Sequence, residues 1–187
     1  CTALTSFPLI DTSSGTSFGS AWNGCTALTS FPLIDTSSGT SFGSAWRSCR
    51  SLTSFPLIDT SSGTDFTFTW RNCNSLTSFP AINTSSGTDF NAAWRDCSSL
   101  ATFPANFFDS WSPASVSNEV FHNAWFNCTS LTAQSVENIL TSIDASGKYA
   151  TTTGASGGSA LGDSGIDIDY NVATGSLSAA TNTAIDS

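Results

Sequence analysis

Large apolar residues recur every 24 positions through the first two thirds of the chain, separated by stretches of Ser, Thr, Asp and Gly. The units run over residues 1–24, 25–48, 49–72, 73–96 and 97–127, and a last one begins at 128–131. In the second unit the apolar positions include Cys25, Leu28, Phe31, Leu33, Ile34, Phe42, Ala45 and Trp46. A fixed period of this length is typical of repeat architectures, in which each unit buries its apolar side chains only against its neighbours.

Three elements are predicted within each unit. Residues 28–32 are β-prone and end at a proline, which predicts a short strand followed by a turn. Residues 35–40 predict a turn in which the Asp35 side chain bonds the following backbone and Gly39 supplies a positive φ. The spacing i, i+3, i+4, i+7 predicts one or two helical or 3₁₀ turns with four side chains facing inward, those of Phe42, Ala45, Trp46 and Cys49. The predicted fold class is an α/β solenoid of 24-residue rungs, each with a short parallel strand.

The fifth unit and the chain beyond it depart from the pattern. The fifth unit has 31 residues, and its seven extra residues fall within 107–120, where an insertion is expected to bulge outward and carry function. Beyond Leu131 we predict a C-terminal α+β cap over 132–187. It comprises a helix at about 132–144 with Thr132 as its N-cap, a Gly/Ser/Thr loop, a strand at about 165–173 and a helix at about 176–187. Such a cap would cover the apolar end of the repeats.

The acidic charge balance of the chain limits the kinds of molecule that it is expected to bind. The chain carries 14 acidic and 5 basic residues, for a net charge of −9, and only 10% of its residues are charged. This balance opposes nucleic-acid phosphates and anionic lipid surfaces, so we expect no nucleic-acid partner. No apolar run is long enough for membrane insertion. The Ser/Thr-rich composition favours an extracellular or virion-surface location.

The repeated motif resembles a known family. The pattern Cys-x-x-Leu-x-x-Phe-Pro, a turn, and then Phe-x-x-Ala-Trp-x-x-Cys is similar to the BspA-like or Treponema-type leucine-rich repeat, although Trp stands where that family usually has Phe. It also resembles the Ser/Thr-rich versions in structural, tail-fibre-like proteins of marine bacteriophages. The resemblance covers residues 1–131. It implies a leucine-rich-repeat scaffold and, because that family is defined by its scaffold, no particular activity.

The six cysteines occupy one column of the repeat, so parallel side chains from successive units should not converge into disulfides or surround a zinc ion. We expect buried free thiols. A second column contains Asp11, Asp35, Asp59 and Asn83. It lacks the full pattern of a calcium loop, and turn-forming Asx residues are expected there. The sequence thus predicts no metal ion and no cofactor, with a weakly held cation between the stacked Asp side chains as the open alternative.

No catalytic site is predicted either. His122 is the only histidine, and no distinctive nucleophile motif accompanies it. Asp109 and Glu119 flank the insertion as a conceivable pair of acids, but nothing in the pattern positions them, and solvated surface carboxylates are the simpler interpretation.

Candidate binding residues lie where the copied units diverge. Arg47, Arg71 and Arg95 share one column, and Asp65 and Asp89 share another. These columns could form a polar recognition stripe, whereas the simpler interpretation is exposed ion pairs worth about 0–1 kcal/mol each. The column of repeated tryptophans is expected in the core. Trp111, in the insertion, is the predicted exposed aromatic contact.

Together these features predict a non-catalytic recognition or attachment module on a phage tail fibre or bacterial surface. Its partners would be a host-surface protein or glycan and other virion or surface proteins. Two alternatives stay open. One is a purely structural spacer or filament component, and the other is an ice-binding protein that presents rows of Thr and Ser hydroxyls.

Overall fold

A computed structural model describes residues 1–116 and 120–147. Within them the only α-helix is α1 (Ala133–Ala145), and extended segments pair as isolated β-bridges rather than as strands of a sheet. The strand expected at about 165–173 and the helix expected at about 176–187 lie outside the described residues.

Successive units lie side by side in register. Ser6 pairs with Ser30, and Ser78 with Thr102, in parallel bridges between residues 24 positions apart. Backbone hydrogen bonds also connect the residues just before this column in successive units. The N–H donates to the carbonyl oxygen from Thr29 to Thr5, Thr53 to Thr29, Thr77 to Thr53, Ala101 to Thr77 and Thr132 to Ala101. Pro32 and its equivalents have no N–H to continue the pairing, so each extended segment stays short.

The corner that contains the tryptophans is not helical. Its N–H groups alternate between two kinds of acceptor: Ala45 donates to Phe42 within the turn at 2.9 Å, and Trp46 donates to Thr69 of the next unit, also at 2.9 Å. Left-handed residues occur every fourth position, with φ of +59° at Ser44 and +62° at Ser48. The predicted helical or 3₁₀ turns are therefore wrong in conformation, because the left-handed residues interrupt a helix and free alternate N–H groups to link units.

The inward direction predicted for that segment is confirmed. Phe42, Ala45, Trp46 and Cys49 are each 0% exposed. The turns preserve a spacing that places all four side chains on the inner side although no helix forms.

The turn after Ile34 forms as an Asx turn, but its glycine has a different role from the one predicted. Oδ1 of Asp35 accepts the N–H of Ser37 at 3.0 Å, and the same hydrogen-bonding pattern holds Ser13, Ser61 and Ser85. Gly39 does not have a positive φ. A Cβ there would lie 2.8 Å from ring atoms of both Phe18 and Phe42, so glycine is required by close packing.

Aromatic rings fill the interior in parallel columns. Trp46 stacks on Trp22 and Trp70 with ring centroids 5.0 and 6.0 Å apart. Phe31 and Phe55 meet the Trp46 ring edge to face, at 5.1 and 4.8 Å. Stacking within a column and perpendicular contacts between columns are the two favourable arrangements of aromatic pairs, so the core joins every unit to the next.

The chain beyond the repeats begins as predicted. Thr132 caps α1, its side chain accepting the N–H of Ser135 at 3.2 Å. The buried face of the helix contains Val136, Ile139, Leu140 and Ile143. Ser135 also bonds back to the repeats, since its hydroxyl donates to the carbonyl oxygen of Ala101 at 3.0 Å. The helix thus closes one side of the core at its C-terminal end.

Candidate recognition surface

The insertion supplies core residues instead of an exposed aromatic. Trp111 is only 3% exposed, and its indole N–H donates to the carbonyl oxygen of Gly87 at 2.7 Å. Phe107 and Phe108, next to it, are also buried. The prediction that Trp111 is exposed is therefore wrong. An indole has a large apolar body and one donor, and both are satisfied here by packing against the fourth unit.

The Asp65/Asp89 column serves the backbone of its own corner. Oδ1 of Asp65 accepts two hydrogen bonds from Thr67, one from its backbone N–H at 3.0 Å and one from its side-chain hydroxyl at 2.7 Å. Oδ2 of Asp65 accepts a hydrogen bond from the hydroxyl of Ser41 at 3.1 Å. Asp89 accepts the N–H of Asn91 at 2.8 Å. Both carboxylates stabilise turns, which reduces their availability to a ligand.

The three arginines of the predicted stripe form one continuous surface, here called the arginine ladder (Arg47, Arg71 and Arg95). The guanidinium carbons of Arg47 and Arg71 lie over the ring of Phe68, at 5.9 and 5.6 Å from its centroid. Arg95 lies over Phe126 at 4.7 Å. These distances are within the range of cation–π attraction, which holds each side chain in place without enclosing it.

Asp96 joins two members of the ladder. Its Oδ2 lies 3.6 Å from Nε of Arg71 and 3.6 Å from Nε of Arg95. At this distance the contacts are ion pairs rather than hydrogen bonds, so neither Nε has a hydrogen-bond partner. Oδ1 of Asp96 accepts a hydrogen bond from the Asn127 amide at 3.0 Å. One carboxylate therefore neutralises part of the charge of two guanidinium groups.

The sequence pattern identified the arginines but missed their aromatic and acidic partners. Phe68 occupies a position where other units have Ser, Ala or Asn. Phe126, which is 40% exposed, occupies a position where they have Asn or Arg. Asp96 directly precedes a column cysteine, in a left-handed conformation with φ of +64°. Asp and Asn tolerate that conformation better than most residues, so the sequence indicates only a turn former at this position. The signal available in the sequence was that aromatic residues and arginines both occur at positions where the copied units diverge.

A groove also lies between the insertion and the fourth unit. It has a volume of about 380 Å³. Its lining residues are Thr64, Ser85, Ser86, Thr88, Ser112, Pro113, Ala114 and Ser115. The lining is uncharged, and Thr64, Ser86 and Thr88 already donate to carbonyl oxygens of neighbouring units, so the groove offers weaker anchoring than the arginine ladder.

Groups suited to catalysis do not converge in the described residues. His122 is half-buried, and its Nε2 contacts the amide of Asn123 at 2.5 Å. Asp109 is exposed, and Glu119 lies outside the described residues. Across 1–116 and 120–147 no three metal-ligating side chains are grouped, and no helix has the length and apolarity to cross a membrane.

No family model matches the chain, and no curated protein matches it. Among solved structures, a T. pallidum leucine-rich repeat protein is similar to the chain, with 19% sequence identity and a TM-score of 0.42. The similarity covers 62% of this chain and 49% of the T. pallidum protein, so the chain spans about half the length of that protein. Identity at this level assigns no binding residue.

Proposed function

We propose that residues 1–131 form a solenoid of the leucine-rich-repeat kind that acts as a non-catalytic recognition module. The observation that carries the proposal is the arginine ladder. Three of the chain's five basic residues lie in one line on a protein of net charge −9, beside two aromatic rings. Charged and aromatic side chains held in place at a surface are characteristic of binding sites.

The remaining columns of the repeat have structural roles, which leaves the ladder as the candidate for binding. The Cys, Leu and Trp columns are occupied by the core, and the Asp35 column by turn hydrogen bonds. The ladder keeps charged groups partly exposed, with the side chains of Arg71 and Arg95 at 27% and 29%. A solenoid would present such a column as a straight, rigid face, which lowers the entropic cost of binding at several points.

We place the module outside the cell, on a phage tail fibre or a bacterial surface, with a host-surface protein or glycan as its partner. A Ser/Thr-rich surface of low charge suits that setting. The test is a binding screen of the labelled chain on bacterial cells and a glycan array, run beside a panel of hydrolase substrates. We expect binding and no turnover. An empty binding screen, or turnover that His122→Ala abolishes, would overturn the proposal.

A second candidate, ice binding, is favoured by one observation. Thr5, Thr29, Thr53 and Thr77 form an exposed column beside a parallel exposed column of serines. Regular outward hydroxyls are what an ice surface would contact. A thermal hysteresis measurement decides this candidate, because a recognition module shows none, whereas Thr53→Lys should abolish hysteresis in an ice-binding protein.

A further inference from the structure

We propose that the arginine ladder binds a carboxylated glycan, with successive uronic-acid-type rings along successive units. This inference rests on the proposed recognition function and names the ligand class of the same surface. Its basis is a row of guanidinium groups that are oriented by the fold and only partly neutralised by it.

The guanidinium groups are oriented before any ligand binds. Nε of Arg71 and of Arg95 is buried and directed toward Asp96, while the two side chains keep 27% and 29% of their area exposed. The exposed area therefore belongs to the outer nitrogens and the stems. Those outer nitrogens form the fork that pairs with a carboxylate through two parallel hydrogen bonds.

The charge of the ladder is incompletely balanced. Asp96 supplies one negative charge to Arg71 and Arg95 together, and within the described residues Arg47 contacts an aromatic ring rather than a carboxylate. The net charge of −9 repels anions at long range, but at physiological ionic strength that repulsion is screened beyond about 8 Å. A ligand carboxylate that reaches the ladder thus experiences mainly the nearby guanidinium groups.

The spacing of the units favours a glycan over an acidic peptide. Rings stacked across the units that contain the ladder are 6.0 Å apart for Trp46 and Trp70, and 5.3 Å apart for Trp70 and Trp94. An extended peptide places side chains on one face about 6.6–6.8 Å apart, so its carboxylates lose register along the row. A chain of uronic acids carries one carboxylate on every ring, so it can offer one carboxylate to each guanidinium group of the ladder.

The aromatic partners suit a sugar as well. Arg95 covers one face of Phe126, and 40% of that residue is still exposed at the end of the ladder. The C–H faces of a sugar ring pack against such an aromatic surface while its carboxylate pairs with the arginine alongside. A simple inorganic anion would use the charge but not the ring.

Isothermal titration calorimetry with hexagalacturonate, its fully methyl-esterified form and hexaglutamate tests the inference. We expect hexagalacturonate to bind, and its methyl ester and hexaglutamate to bind at least about tenfold more weakly. We expect Arg71→Gln and Arg95→Gln each to lower the affinity for hexagalacturonate by about tenfold. Asp96→Asn keeps the side-chain shape and tolerates the left-handed backbone, and it should strengthen binding about threefold by releasing the ladder. Arg50→Gln removes the same charge from an exposed position outside the ladder and should change affinity less than twofold.

Equal binding of the ester, stronger binding of hexaglutamate, or equal losses for Arg50→Gln and Arg71→Gln would overturn the inference. So would no binding of hexagalacturonate by a chain that binds cells through the ladder, an outcome that leaves the proposed function intact. Failure to bind either cells or hexagalacturonate would overturn both.

Discussion

The thiol of Cys73 donates a hydrogen bond to the carbonyl oxygen of Trp46, 27 residues earlier in the chain, at 3.2 Å. That oxygen also accepts the N–H of Cys49 at 3.1 Å, so one carbonyl group joins the turn that ends at Cys49 to the equivalent thiol 24 residues further along the chain. The same contact recurs from Cys49 to Trp22, from Cys97 to Trp70 and from Cys128 to Trp94. The cysteines are thus part of the hydrogen bonding between units as well as small core residues.

Five buried thiols should resist alkylation in the folded protein. Cys1 is exposed, whereas the other cysteines are buried. Iodoacetamide followed by mass spectrometry should label Cys1 alone under native conditions and all six thiols after unfolding without reductant, because the reagent cannot reach a buried sulfur atom. Fewer than six labels after unfolding would indicate disulfides and contradict the free-thiol structure.

Stability should fall at alkaline pH. Burial, followed by the neighbouring Cys25, raises the pKa of Cys49 from 9.0 to about 12, and burial likewise raises the pKa of Cys73 and Cys97. Between pH 9 and 12 the unfolded chain releases these protons while the folded chain keeps them. The free energy of unfolding should therefore decrease by up to about 1.4 kcal/mol per pH unit for each thiol. Urea unfolding from pH 8 to 11 measures the slope, and Cys49→Ala should make it shallower; an unchanged slope would mean that this thiol does not contribute.

The glycine of the Asx turn should be intolerant of alanine. A Cβ at Gly63 would lie 2.5 Å from the ring of Phe66 and 3.0 Å from the carbonyl oxygen of Thr60. We expect Gly63→Ala to lower the free energy of unfolding by about 1–3 kcal/mol, the usual range for overpacking. Gly19→Ala is the matched control, since its nearest contact would be an ordinary 3.7 Å, and we expect a change below about 0.5 kcal/mol. Equal effects in chemical denaturation would refute the steric explanation.

A buried threonine column should contribute more than the exposed one. The hydroxyl of Thr60 is fully buried and donates to the carbonyl oxygen of Asn83 at 2.5 Å, whereas exposed Thr53 makes only a long 3.4 Å contact with Thr29. Thr60→Val keeps the shape but removes the buried hydroxyl donor of this hydrogen bond, so we expect a loss of about 1 kcal/mol. Thr53→Val should change stability by less than about 0.5 kcal/mol. Thermal unfolding of the two variants gives the comparison, and a reversed order would contradict the burial found for Thr60.

The sequence predicted which residues face inward better than it predicted backbone conformation. The period of 24 residues identified the Phe42, Trp46 and Cys49 columns because burial depends on spacing, and several conformations preserve the same spacing. It did not reveal the left-handed residue at Ser44, since serine is not characteristic of that conformation. Only the contact between units, which determines where each N–H finds its acceptor, selects turns over a helix.

The geometry of the arginine ladder was predicted in part for a related reason. Divergence between copied units identified Arg71 and Arg95, because a core position would have been kept apolar. The same criterion failed for Trp111, since an inserted aromatic can fold back into the core when its indole N–H finds an acceptor, as it does at Gly87. The pairing with Asp96 depends on backbone geometry that spacing alone does not determine.

The most direct test of the account is cell binding by the Arg71→Gln/Arg95→Gln double variant, measured beside its free energy of unfolding. Because partly exposed ion pairs and cation–π contacts contribute little, we expect the variant to lose less than about 2 kcal/mol of stability. We also expect at least about a tenfold loss of binding. A folded double variant that binds cells as well as the original chain would contradict the claim that recognition resides in the arginine ladder.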